Sequence, residues 1–235
     1  MIKENIFDVK GRIASACSRA GRELSSVTFV CVAKGRPAGD IREAIASGIA
    51  DIGESRVQEA TLKYKELQTP DSKLPAIRWH MIGHLQTNKA KEAVRIFDLI
   101  QSVDTIRLAL EIDKQAALVN KVQDILIEVN ISGEEQKYGF SPADMPAAIK
   151  QISSFKNIGI NGLMAVGPLG GDIERARSCF RQLRELRDGF NRLRTANSAL
   201  HTLSMGMSDD FEAAIEEGSS MVRIGGAVFG RIDGE

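Results

Sequence analysis

Cysteine is scarce in this chain of 235 residues: Cys17, Cys31 and Cys179 form an odd, scattered set without C-x-x-C spacing. That excludes a disulfide framework and a cysteine-based zinc site, and fits reduced thiols. An excess of either charge is also missing. Lys+Arg and Asp+Glu both number 31, so no global basic field draws the chain to nucleic acid or to an anionic membrane. No apolar run approaches the roughly 20 residues of a membrane-spanning helix. Met1-Ile2-Lys3-Glu4-Asn5 has an acidic residue and lacks the apolar core of a signal peptide, so a cytoplasmic location is expected. No linker or composition break divides the sequence, and residues 1–235 are expected to form one domain and to act as a monomer.

What is present is a repeated unit: a short apolar run, a loop with Gly, Asp or Asn, then an amphipathic helix. After a helix over about Ile2 to Ala20, the expected strands are Val27–Ala33, Ala50–Gly53, Arg78–Ile82, Leu99–Val103, Ile125–Ile131, Gly162–Val166, Thr202–Met205 and Met221–Ile224. Between them the pattern predicts helices over about Asp40–Ser47, Val57–Leu67 (broken by Pro70-Asp71-Ser72), from near Asn88, from Asp104 or Thr105 to about Leu118, from Ser141-Pro142, over about Ile173–Leu193, and from Ser208-Asp209-Asp210. About eight βα units in this length suit a single (β/α)8 TIM barrel with an extra N-terminal helix. A doubly wound open sheet usually needs fewer strands.

On a barrel the strand ends form one ring, so Lys34, Glu54, His80, Asn130, Ser204 and Arg223 are expected around one mouth. Lys34 follows an apolar, β-branched strand and precedes Gly35-Arg36-Pro37, which places its stem in the core and its amine at the rim. A partly desolvated amine can condense with an aldehyde. Leu203-Ser204-Met205-Gly206-Met207-Ser208 and Arg223-Ile224-Gly225-Gly226-Ala227 close the seventh and eighth strands, the usual phosphate location on this fold. Glycines there let backbone N–H groups approach an anion. An amine and a phosphate cradle on one rim suggest pyridoxal 5′-phosphate, an aldehyde bearing a phosphate. Arg223 facing the pyridine nitrogen would leave it unprotonated, because a guanidinium only donates; an ion pair with a rim carboxylate is the alternative role.

These residues also carry a resemblance. Val32-Ala33-Lys34-Gly35-Arg36-Pro37, Gly53-Glu54-Ser55-Arg56-Val57-Gln58-Glu59, His80-Met81-Ile82-Gly83-His84-Leu85-Gln86-Thr87-Asn88-Lys89, Asn130-Ile131-Ser132, Gly162-Leu163-Met164-Ala165, Leu203-Ser204-Met205-Gly206-Met207-Ser208-Asp209-Asp210 and Val222-Arg223-Ile224-Gly225 occur in order. In these the chain resembles the pyridoxal-phosphate homeostasis protein family, whose fold is similar to the N-terminal barrel of alanine racemase without its C-terminal β domain. The resemblance implies that Lys34 is the Schiff-base lysine, that Ser204, Gly225 and Gly226 bind the phosphate, and that Arg223 faces the pyridine nitrogen. Where family members often read Ser-Lys-Thr-Lys, Gly-Glu-Asn and Thr, this chain has Ala33-Lys34-Gly35-Arg36, Gly53-Glu54-Ser55 and Gly226.

The resemblance further implies a protein that holds pyridoxal phosphate and delivers it to apo pyridoxal-phosphate enzymes, with no efficient catalysis of its own. An amino-acid racemase is the alternative. It needs a second acid/base opposite Lys34. The only tyrosines are Tyr64, in a predicted helix, and Tyr138, in a loop. His80 and His84 flank Gly83 in a strand setting and are expected to line the cavity or sit satisfied in the core, not to hold a metal. Cys31 lies on the strand face opposite Lys34 and reads as a packed hydrophobe. Lys137 is either a second amine for the cofactor or a solvated loop lysine. The six arginines between Arg175 and Arg192 read as a solvated face.

Overall fold

The computed structural model describes residues 1–68, 74–168, 172–193 and 199–230. The breaker Pro70-Asp71-Ser72 and the chain after Gly230 lie outside the described residues. Eight parallel strands pair in chain order and close into a barrel. They are β1 (Thr28–Val32), β2 (Asp51–Glu54), β3 (Arg78–Met81), β4 (Leu99–Val103), β5 (Gln123–Glu128), β6 (Ile158–Met164), β7 (Thr202–Ser204) and β8 (Met221–Ile224). The closing pair sets Thr28 beside Met221 and Cys31 beside Ile224. The expected barrel is therefore the observed fold.

The helices are α1 (Ile2–Arg19), α2 (Ala38–Ala46), α3 (Val57–Leu67), α4 (Ala90–Ile96), α5 (Ile106–Leu118), α6 (Met145–Ile152), α7 (Ile173–Arg192), α8 (Phe211–Glu216) and a last turn, α9 (Gly226–Phe229). Each buries one stripe: Leu108, Ala109, Ile112 and Ala116 on α5, capped by Thr105 accepting from Leu108 N–H. Helix α1 lies across the barrel's closing seam. Arg12 bonds Glu212, Arg19 bonds Glu216, and Arg22 donates to the carbonyls of Ile215 and Ser219. Among the described residues no helix is long and apolar enough to cross a membrane.

Several boundaries differ from expectation, β6 by the most, since it runs Ile158–Met164 and so starts four residues before the expected Gly162 and stops two before Val166. Strand β5 ends at Glu128, three residues short of Ile131, because Asn130 N–H is taken by Phe140 as the chain turns back. Helix α6 starts at Met145; Ser141 instead caps a preceding turn by accepting from Asp144 N–H at 3.1 Å. Helix α8 opens at Phe211 because Asp210 Oδ1 ties back to Met207 N–H at 2.6 Å, holding 207–210 as a turn.

The large apolar layer lies between strands and helices, with Trp79, Phe97, Phe180 and Phe211 fully buried. Cys31 belongs to this layer, and burial pushes its thiol up to about 12. A second, small cluster of Val30, Leu99, Leu126, Met164 and Met221, with Val166 packed on it, fills the barrel interior. Alternation along the strands puts Val32, Gln101, Glu128, Ser204 and Arg223 on this same inward face, nearer the C-terminal ends of their strands. Polar residues thus occupy the barrel axis beneath its C-terminal mouth.

Candidate functional site

A cavity of about 710 Å³ opens at that mouth. Its walls come from the loops after β1, β2, β3, β6, β7 and β8 and include Lys34, Ser55, Ser208, Arg223, Gly225 and Gly226. Four basic side chains and one acidic one line it, so its field favours an anion. Lys34, Arg223, Gly225 and Gly226 are brought together here. Ser204 is not.

Ser204 does not stand where a phosphate-binding hydroxyl was expected. It ends β7 with its side chain inward and is fully buried. Its hydroxyl donates to Gln101 Oε1 at 2.6 Å and accepts from Arg223 Nη1 at 2.6 Å. It is used below the cavity floor and offers nothing to a phosphate. The hydroxyl at the cavity wall is Ser208, four residues on, which accepts from Ala227 N–H at 3.2 Å and so joins the loops after β7 and β8. Both serines stand in one expected phosphate segment; only the point at which β7 ends separates them.

The loop bearing Lys34 is braced from α3 on both sides. Lys63 Nζ donates to the Ala33 carbonyl at 2.7 Å, and Glu59 accepts from Gly35 N–H at 3.1 Å. Lys63 also pairs with Glu54 at 2.5 Å, where burial raises the Glu54 carboxyl above its usual range against the opposing pull of Lys63. Burial likewise opposes the charge on Glu59, but Gly35 N–H and Arg56 outweigh it and hold that carboxyl low. Glu54 therefore serves the frame around Lys34. Sequence reading missed Lys63 and Glu59; their spacing of four on one helix was the available signal.

Arg223 is 4 % exposed and also donates to the Ala165 carbonyl at 2.9 Å. Burial brings its guanidinium down to about 10, opposed by the charges of Glu128 and Asp210. Its partners are neutral acceptors, not the rim carboxylate of the alternative role. Burial and the nearby Asp104 charge push the Glu128 carboxyl up to about 7, partly offset by Arg223.

The other rim candidates have structural partners. His80 is buried between Asp51 and Gln101, at 2.9 and 3.0 Å. His84 Nδ1 lies 3.0 Å from Asp104, and its ring stacks on Tyr138 with centroids 3.7 Å apart. Among the described residues no group of three or more His, Cys, Asp or Glu side chains can hold a metal. Asn130 braces its own loop through Glu134 O and Gly133 N–H. Lys137 pairs with Glu134 at 2.8 Å and donates to the Gly167 carbonyl at 2.6 Å. It is not a solvated loop lysine.

A closed α/β barrel whose mouth gathers an amine, a buried guanidinium and paired glycines defines a class: barrels that hold a small anionic ligand on their C-terminal loops. Comparison with known proteins narrows the class. The alanine racemase N-terminal domain family model matches residues 12–233. The pyridoxal phosphate homeostasis protein of Aquifex aeolicus is 44% identical over 97% of this chain and 96% of its own length. The structure of PipY from Synechococcus elongatus with pyridoxal phosphate bound is 34% identical, with a TM-score of 0.81 over 98% of this chain and 100% of PipY. An alanine racemase of Clostridium difficile, 13% identical, shares the barrel alone, with a TM-score of 0.74 over 100% of this chain and 57% of the racemase. The chain belongs to the pyridoxal phosphate homeostasis protein family, within the alanine racemase N-terminal domain class.

Proposed function

We propose that this protein binds pyridoxal 5′-phosphate at the barrel mouth and holds it for delivery to apo pyridoxal-phosphate enzymes, without efficient turnover of amino acids. The observation that carries this reading is the single cavity shared by Lys34, Arg223, Ser208 and the Gly225-Gly226 pair. The donor set suits the ligand. An amine is needed for its aldehyde, hydrogen-bond donors for its phosphate, and a neighbour for its ring nitrogen. When bound, pyridoxal phosphate supplies an aldehyde that an amine can capture covalently.

In this reading Lys34 is the amine, steered into the cavity by the α3 brace on its flanking peptides. Gly225 and Gly226, at the start of α9, offer main-chain N–H groups without partners inside that helix. Ser208 adds a hydroxyl. A side chain at 225 would bring Cβ to 3.0 Å from the Val32 carbonyl and 3.1 Å from Val32 Cβ, so glycine keeps that wall close to the strand. Arg223 presents N–H groups only, which leaves a facing ring nitrogen unprotonated and suits storage better than carbanion chemistry. Neither tyrosine faces the cavity: Tyr64 packs 5.9 Å from Trp79, and Tyr138 lies on His84. This favours the carrier over the two-base racemase.

Saturating the protein with pyridoxal phosphate should give near-ultraviolet to violet absorbance and, after borohydride reduction, a labelled Lys34 peptide by mass spectrometry. Absence of both would reject the site. Incubating the loaded protein with D- or L-alanine, and separately with an apo enzyme, tests the role; inversion of alanine at enzyme-like rates would reject the carrier.

A further inference from the structure

The polar residues beneath the cavity form one continuous chain. Arg223 Nη1 meets Ser204 Oγ at 2.6 Å, and Ser204 Oγ meets Gln101 Oε1 at 2.6 Å. Gln101 Nε2 lies 3.0 Å from His80 Nδ1, and His80 Nε2 lies 2.9 Å from Asp51 Oδ1. Asp51 then accepts from Arg78, whose side chain reaches solvent at the start of β3. Asp51, His80, Gln101, Ser204 and Arg223 are all buried. The chain thus spans the barrel interior from one end to the other.

Elementary donor and acceptor rules give it a direction. A guanidinium cannot accept, so Ser204 must accept from Arg223 and turn its own proton to Gln101. Gln101 must receive that proton on its oxygen, which leaves its amide N–H for His80 Nδ1. The reversed amide would set Oε1 against Met221 Sδ, now 3.1 Å from Nε2, and face the Ser204 hydroxyl with an N–H. His80 Nδ1 is then an acceptor, and its ring hydrogen sits on Nε2, aimed at Asp51. Burial raises the Asp51 carboxyl, but the bonds from His80 and Arg78 outweigh it and keep the group ionised at the end of the chain.

We infer that Ser204, Gln101 and His80 are positioning residues, a one-way hydrogen-bond relay that holds the Arg223 guanidinium in a single orientation at the cavity floor and ties it to Asp51 at the far end of the barrel. From Arg223 to His80 every donor in the relay points away from the cavity, and aligned hydrogen bonds in a low-dielectric interior reinforce one another. The inference rests on the proposed role of Arg223 beside the ligand and adds what keeps it there. Glu128 and Asp210 act on Arg223 through space; the relay supplies contact.

The first measurement needs no ligand. Nitrogen-15 shifts of the three histidines in the ligand-free protein should show His80 as a neutral ring protonated at Nε2. The opposite tautomer, or a doubly protonated ring at neutral pH, would overturn the relay. The second uses Ser204→Ala. It should abolish the slowly exchanging Arg223 Nη–H signals and speed release of bound pyridoxal phosphate about tenfold, the size expected for one bond to a charged donor. Borohydride should still label Lys34, and Ser204→Thr should restore the Arg223 signals. Unchanged signals in Ser204→Ala would reject the inference. Failure of Lys34 labelling in the parent protein would reject the cofactor reading alone, because the histidine tautomer and the Arg223 signals judge the relay without it.

Discussion

The two ends of the cavity are built by different physics. At the amine end, Lys34 rides on a loop whose shape is set by charged side chains from α3: Lys63 on one flanking peptide, Glu59 on the other. At the anion end, the walls after β7 and β8 are set by the absence of side chains. Gly206 adopts φ +97°, and a Cβ there would come 2.6 Å from Ala214 Cβ. A long side chain must swing to reach a ligand and needs its anchor held by strong, directional bonds. A main-chain cradle needs only to be close, and closeness is a matter of shape. The amine end should therefore fail when charge is removed, and the anion end when bulk is added.

The sharpest break of that contrast is Lys34→Ala, which should abolish covalent attachment entirely while leaving the thermal melt of the ligand-free protein nearly unchanged; borohydride labelling and calorimetry read the two. Next in size is Lys63→Met. It strips the cation from the buried Glu54 carboxylate, and breaking such a pair costs about 3–5 kcal/mol. Glu54 already titrates above its usual range in the fold. A carboxyl raised on folding contributes its stability in full below its unfolded pKa and loses it as pH rises through the folded value. Urea titrations should thus show the variant's deficit widening from pH 5 to pH 8. A deficit independent of pH would show that Lys63 does not serve Glu54.

At the other end, Gly206→Ala combines a left-handed backbone with a collision and should cost about 2–3 kcal/mol, measured by urea unfolding. Little loss would mean that the loop after β7 gives way and that close packing does not set this wall. Glu128, belonging to neither end, sharpens the comparison by its pH dependence. Its pKa of about 7 lies above the unfolded value, so the native protein loses stability as pH rises through 7. Glu128→Gln lacks that loss and should be more stable than the parent by about 2–3 kcal/mol at pH 8, with no gain at pH 4. Equal gains at both pH values would refute the assignment. The smallest effect is expected outside the site. Arg177, Arg181 and Arg184 of α7 converge on Glu217 at 3.5, 2.8 and 3.3 Å. Because the Arg181 side chain is half exposed and its ion pair is screened by water, Arg181→Ala should leave the urea midpoint nearly unchanged and cofactor labelling untouched.

Much of the site could be read along the chain. Lys34, Arg223 and the Gly225-Gly226 pair announce themselves because each follows an apolar strand, and on a barrel strand ends share one mouth. The misplaced hydroxyl shows where such reading stops. Ser204 and Ser208 are chemically alike and lie in one segment, yet β7 ends at Ser204, which leaves it inside the barrel. The α7 arginines do form a largely solvated face, with none of the six buried, but the pattern along the chain did not show that Glu216 and Glu217 at the end of α8 stand opposite three of them. Lys137, exposed by context alone, is seated on Gly167 from another loop.

Local pattern by itself determined eight strands, their helices, the closed barrel and the strand ends that carry chemistry, because periodicity and chain stops are properties of neighbours in sequence. The tertiary structure alone decided which hydroxyl reaches the cavity, that Lys63 and Glu59 grip the Lys34 loop, and that Gln101 joins His80 to Ser204. Those contacts link residues brought together only by barrel closure and helix packing, and no spacing along a chain encodes the direction in which a buried side chain finds its partner.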